Sequence, residues 1–368
     1  MKRYKMTNKK NKSMPRPVHG SITPAELREL GLSIDDVIDF SSNINPLGMP
    51  SHMKESIADT DISRYPDPDC LELREAISSK TGMDVASILV GNGSTEIIHL
   101  IARTFLKKDG DAVILSPTYG EYETACRLAG VEPVFIKAEE KNQFRWSIPS
   151  VCKRIDSIKP RIVFLCNPNN PTGVLLKSAD VVKIAASAAP GLLIIDEAYM
   201  PFADDSWDAT SLLEKGNVVV MRSMTKDYAV AGIRLGYIIA SSDVIERLKC
   251  YQPFWSVNAI AQALGLEAVN DDKHIVKAKK VVVKARSYLL KSIEDTGLDV
   301  IPTSTNFILI QVGDAKAVRR ELLKYGICVR DCTSFGLPQY IRIVAQPLPA
   351  CRKFVEALRL VINERIGK

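Results

Sequence analysis

Apolar residues along the chain follow two rhythms. Short, nearly unbroken apolar runs recur at 88–90, 112–116, 133–137, 161–166, 192–196, 217–221 and 235–240, each bounded by Gly, Pro, Asn or Ser. Runs of that length with such punctuation read as strands buried on both faces. Between most of them apolar positions recur every third or fourth residue. Leu73, Ala76 and Ile77 in 71–81 are one example, and the stretch from Ser94 to Leu106 is another. Strands alternating with helices predict an α/β layer structure, with helices on both faces of a mostly parallel seven-stranded sheet.

Beyond residue 240 the rhythm changes. A long helical stretch runs from 255–258 to about 292, and short strands follow at 304–310, 326–330 and 340–344, with helices at 315–325 and 348–366. This predicts a smaller α+β domain. At 368 residues the chain exceeds the size at which one core stops growing, so two domains are expected. The first 58 residues lack an apolar core of their own, although Thr23-Pro24-Ala25-Glu26 carries a helix-start signature. The expected division is a basic, disordered tail 1–17, a segment 18–58 joining the small domain, a large domain 59–257 and a small domain 258–368.

Charge alters little once the tail is set aside. The net charge is +6, from 49 basic and 43 acidic residues, and Met1–Pro17 holds seven of the basic ones and no acid. The remaining body carries 42 basic residues against those 43 acids, so it offers no broad cationic face for nucleic acid. The tail has no apolar core, which argues against a secretory signal, and no run is long enough to span a bilayer. Eight scattered cysteines form no zinc or iron–sulfur spacing. No metal, membrane or nucleic-acid partner is expected, and buried thiols suit a cytoplasmic setting.

Candidate chemistry gathers where the predicted strands end, which is where open α/β sheets bind ligands. Gly91-Asn92-Gly93-Ser94-Thr95 leads from a strand into a helix start, a geometry that offers free amides to an anion. Ser116-Pro117-Thr118-Tyr119, Asn167-Pro168-Asn169-Asn170-Pro171-Thr172-Gly173, Asp196-Glu197-Ala198-Tyr199 and Ser223-Met224-Thr225-Lys226 end four further strands. Together they bring a ring, an amide, a carboxylate, a phenol and an amine to one rim. A pyridine aldehyde carrying a phosphate needs those groups: a lysine for its aldehyde, an acid for its ring nitrogen and a helix start with a cation for its phosphate.

The set Asn170-Pro171-Thr172-Gly173, Asp196-x-x-Tyr199, Ser223-x-x-Lys226 and Arg234 resembles the fold-type I pyridoxal-phosphate enzymes of the aminotransferase class I/II superfamily, over nearly the whole chain after Pro17. The resemblance implies pyridoxal 5'-phosphate bound to Lys226 as a Schiff base. It implies Asp196 at the ring nitrogen, Asn170 and Tyr199 at the ring oxygen, and Tyr119 stacked on the ring. Ser94, Thr95, Ser223 and Arg234 would hold the phosphate. Arg342 would take a substrate carboxylate, and Tyr65 would reach the neighbouring subunit's cofactor in a homodimer with shared sites.

Two branches of the superfamily come near. The words Phe40 to Gly48, His19-Gly20, Pro253 to Ala259 and Val329-Arg330-Asp331-Cys332 are similar to those of L-threonine-O-3-phosphate decarboxylases, which place a phosphorylated amino acid near His19, Asn45, Asn170, Arg330 and Arg342. That branch implies decarboxylation of L-threonine O-3-phosphate to (R)-1-aminopropan-2-yl phosphate in cobalamin biosynthesis, with O-phosphoserine as a further substrate. Histidinol-phosphate aminotransferase is the alternative. Ser21, Met224 and Asp227 depart from the usual residues of the decarboxylase pattern. A cofactor-binding transcription regulator would need a DNA-binding domain, and the chain offers only the short basic tail.

Overall fold

The computed structural model describes residues 22–108 and 111–366, so the basic tail and His19 lie outside the described residues. Among the described residues, thirteen strands form three sheets. They are β1 Ile38–Asp39, β2 Ile88–Gly91, β3 Ala112–Ser116, β4 Val134–Lys137, β5 Ile162–Cys166, β6 Leu192–Asp196, β7 Val218–Ser223, β8 Gly236–Ile239, β9 Val300–Ile301, β10 Phe307–Gln311, β11 Ile327–Cys328, β12 Arg330–Asp331 and β13 Tyr340–Val344.

The central sheet has the order β2-β8-β7-β6-β5-β3-β4. Strands β3 to β7 run parallel, and β8 runs antiparallel to both β2 and β7. Side chains alternate between two cores with the strand period of two. Val113, Val163, Leu193 and Val218 face one, while Ile114, Phe164, Ile194 and Val219 face the other. Each such residue contributes roughly 1.5–3 kcal/mol when fully buried. The reversal at β8 follows from its connection. Only the short helical turns Met224–Asp227 and Ala231–Ile233 separate it from β7, too little for the crossover helix a parallel neighbour needs.

The second sheet, β12-β13-β10-β9, is antiparallel throughout. Its core joins Ile308, Ile310, Ile341 and Ile343 to the helices Asp272–Glu294, Ala315–Lys324 and Leu348–Ile366. Phe40 of the N-terminal segment is fully buried in this core, 5.1 Å from the Phe354 ring. The stretch 326–330, expected as one strand, divides between two sheets. Cys328 pairs with Asp39, whereas Arg330 pairs with Arg342. The long helical stretch is likewise two helices, Ala259–Asn270 and Asp272–Glu294. Asp271 leaves helical geometry at the break, and its carboxylate accepts from the His274 amide at 3.1 Å, capping the second helix.

Candidate active site

Lys226 stands on the turn between β7 and β8. Two hydrogen bonds to Leu235 O fold this turn back, from Met224 N and Thr225 Oγ1, each at 3.2 Å. The N-terminal segment braces it from outside. Asn45 N donates to Lys226 O at 2.9 Å, and Asn45 Nδ2 donates to Asp227 O at 2.6 Å. Asn45 Oδ1 in turn accepts from Leu47 N. All its polar atoms are committed to backbone, so Asn45 positions the lysine turn. The Lys226 ammonium is held 3.4 Å from Ser223 Oγ and 5.3 Å from the centre of the Tyr199 ring.

Asp196 ends β6 and is buried. Its Oδ1 accepts from Ala198 N at 3.0 Å and its Oδ2 from Tyr122 Oη at 2.6 Å. Burial pushes this carboxyl above the ordinary aspartate range. Tyr122, the Lys226 charge and the Ala198 amide pull it back. Tyr122 was not among the residues expected from sequence. It is fully buried, stacks on Phe164 at 5.0 Å and meets Tyr119 edge-on at 5.7 Å. The only signal for it was a phenol on an apolar helix face, since a buried tyrosine hydroxyl needs a partner. Tyr119 is half-buried, hydrogen-bonded with Thr95 and close enough to feel the Lys226 charge.

On the other flank, Asn170 Nδ2 donates to Tyr199 Oη at 3.4 Å, and Asn170 Oδ1 accepts from Arg342 Nη1. Arg342 Nη2 donates to Ser41 O at 2.8 Å, while its buried Nε has no hydrogen-bond partner. Arg330 lies across the β12–β13 ladder from Arg342 and donates to Ser334 Oγ at 2.6 Å. Burial, and then the Arg342 charge, push Arg330 down to about 10. Burial raises the Tyr199 phenol well above its usual value.

The anion cradle forms where β2 meets the helix Gly93–Phe105. Gly93 has φ +74°, and a Cβ there would stand 2.8 Å from Arg234 Nη2; a Cβ on Gly236 would stand 2.8 Å from Ser94 N. Two glycines thus let a guanidinium and a strand close over the helix start, whose amides and dipole favour a phosphate. With a lysine, a buried carboxylate and a ring on the adjoining strand ends, these residues fit pyridoxal 5'-phosphate. Among the described residues there is no cluster suited to a metal ion and no helix long and apolar enough to cross a membrane. Tyr65 stands apart from the cluster, 79% exposed and stacked on Trp255 at 4.4 Å.

The chain is similar to known proteins over most of its length. The family described as aminotransferase class I and II matches residues 35–358. A protein of Caldanaerobacter subterraneus subsp. tengcongensis assigned as a threonine-phosphate decarboxylase is 38% identical, covering 88% of this chain and 90% of its own. The histidinol-phosphate aminotransferase of Caldicellulosiruptor saccharolyticus is 34% identical, covering 91% and 94%. Among solved structures, the histidinol-phosphate aminotransferase of Clostridium acetobutylicum superposes with a TM-score of 0.81 at 28% identity, covering 89% of this chain and all of that one. Several further relatives carry the histidinol-phosphate aminotransferase name.

Proposed function

The chain belongs to the aminotransferase class I and II family of pyridoxal-phosphate enzymes, and from that membership we propose that it decarboxylates L-threonine O-3-phosphate to (R)-1-aminopropan-2-yl phosphate. One observation carries the choice of substrate. Two buried arginines, Arg330 and Arg342, face each other across the β12–β13 ladder. Like charges directly opposed in a sheet are unfavourable, and a substrate with two anionic groups offsets that cost. Threonine phosphate has a carboxylate and a phosphate. Histidinol phosphate has a phosphate and no carboxylate, so of the two phosphorylated amines only threonine phosphate engages both guanidiniums. The 38% identity to a protein assigned as a threonine-phosphate decarboxylase supports the same reading.

When bound, the cofactor supplies a carbonyl for the substrate amine and a ring that withdraws electrons from the bond to be broken. Ser94, Thr95, Ser223 and Arg234 would hold its phosphate, Tyr119 would stack on its ring, Asp196 would keep the ring nitrogen protonated, and Asn170 with Tyr199 would serve the ring oxygen. Arg342 grips the substrate carboxylate and Arg330 the substrate phosphate. Two fixed ends set the rotation of the α-carbon, so distal binding energy selects which bond breaks. The carbon–carbon bond to the carboxylate breaks, carbon dioxide leaves, and the electron pair remains on the α-carbon. Lys226 Nζ then delivers a proton there.

The histidinol-phosphate aminotransferase reading is kept because many relatives bear that name. Purified protein given L-threonine O-3-phosphate and no 2-oxo acid is expected to release carbon dioxide and the amino alcohol phosphate. Phosphoserine should be assayed beside it. Amino transfer to 2-oxoglutarate from histidinol phosphate, with no carbon dioxide from phosphothreonine, overturns the proposal.

The working unit in this reading is a homodimer. Tyr65 and Phe254 are each more than three-quarters exposed and flank Trp255, an aromatic patch that a second copy would cover.

A further inference from the structure

A second cavity, of about 480 Å³, lies behind the lysine turn. Ser223, Met224 and Asp227 form its floor, but Lys226, Asp196, Tyr199 and Arg342 do not line it. Its walls are largely apolar, from Met200, Trp207, Val269 and Ile275. Charged groups enter from six segments, and most of them pair among themselves. Arg222 binds Glu197 at 2.9 Å and Asp208 at 2.7 Å, and Lys80 pairs with Asp272.

That pairing leaves acid over. Four carboxylates face two cations. Glu197, with a side chain 1% exposed, has Oε2 on Arg222 and also meets the Ala209 amide. Asp227 Oδ1 is buried with no hydrogen-bond partner. An unpaired buried acceptor costs roughly 1–3 kcal/mol. Such an oxygen at the base of a cavity with a surplus of acid and an apolar wall asks for a positive N–H donor on an apolar body.

We infer that this cavity is a binding site for a small organic ammonium ion, separate from the cofactor site and backed onto the turn that carries Lys226. The ammonium hydrogen-bonds Asp227 Oδ1 and neutralises the surplus acid, and the apolar body lies against Trp207, Met200 and Val269. Burial holds the Asp227 carboxyl up at about 7, so a nearby cation favours its ionised form.

The probe is N,N-dimethylbenzylamine, a tertiary amine that cannot condense with the cofactor aldehyde. Holoenzyme is titrated with it while tryptophan fluorescence and saturation-transfer NMR of the probe are recorded. Saturable binding is expected, with the fluorescence change lost in Trp207→Phe. Asp227→Asn should weaken binding about tenfold or more, equivalent to about 1.4 kcal/mol. Ser206→Arg, an exposed change at the rim, should weaken it too by placing a cation beside the carboxylates, and it keeps the test alive if Asp227→Asn does not fold. Absence of saturable binding to the wild type overturns the inference. So does equal affinity in Asp227→Asn or Ser206→Arg, or equal binding of the neutral N,N-dimethylbenzamide, which would leave only an apolar crevice. None of these outcomes depends on which phosphorylated substrate the enzyme uses.

Discussion

Two side chains around the lysine turn make separate predictions. Tyr122 donates to Asp196, whose carboxyl is raised by burial. Tyr122→Phe removes a stabiliser of the charged form, so the aspartate pKa rises further. The acid limb of the kcat/KM profile should then move to higher pH, and kcat should fall about tenfold, in line with the 1.5–3 kcal/mol of a hydrogen bond to a charged group. An unshifted acid limb would show that Asp196 ionises without this phenol. Asp227 has its folded pKa raised from 3.8 to about 7. The folded state therefore binds the extra proton between those values, and stability falls as pH climbs from about 4 through 7. Asp227→Asn abolishes that loss. It should gain at least about 1 kcal/mol over the wild type at pH 8 and little at pH 4, read by denaturant unfolding at the two pH values. The ends of the predicted strands put Lys226, Asp196, Asn170 and Tyr199 on one rim, and the family resemblance implied their roles there. Tyr122 and the bracing role of Asn45 were not legible, because their partners lie 74 and 182 residues away.

At the scale of elements, the seven strands of the central sheet were read to within one or two residues because strands buried on both faces are continuously apolar. By contrast, β10 starts three residues later than expected, and the two-residue strands β1 and β9 gave no such signal. What local pattern missed were the events that chain-distant partners decide. The reversal of β8, the split of 326–330 between two sheets and the helix break at Asp271 are of that kind. The junction of β2 with the helix Gly93–Phe105 is sensitive in a different way. Gly93 has a positive φ, and the space its Cβ would fill holds the Arg234 guanidinium. Gly93→Ala should destabilise the protein by about 1–2 kcal/mol through backbone strain. Because the Arg must move aside, it should also weaken cofactor uptake by about tenfold or more, measured by equilibrium dialysis. Normal uptake would mean that Arg234 is not part of the cradle.

For the whole molecule, the prediction concerns assembly. If a second copy covers Tyr65, Phe254 and Trp255, light scattering should give twice the 40.6 kDa chain mass, and Phe254→Glu should shift the protein toward monomer with loss of turnover. A monomeric wild type that turns over substrate fully would refute the shared site. The N-terminal segment has a mechanical consequence of its own. Phe40 exchanges backbone hydrogen bonds with Cys328 and Val344, Ser41 O holds Arg342, and four residues later Asn45 grips the lysine turn. This short span works as a drive belt. Any swing of the sheet that carries the two arginines must drag the reactive amine with it or snap the Asn45 clasp, so seizing the substrate and aiming the proton donor become a single motion.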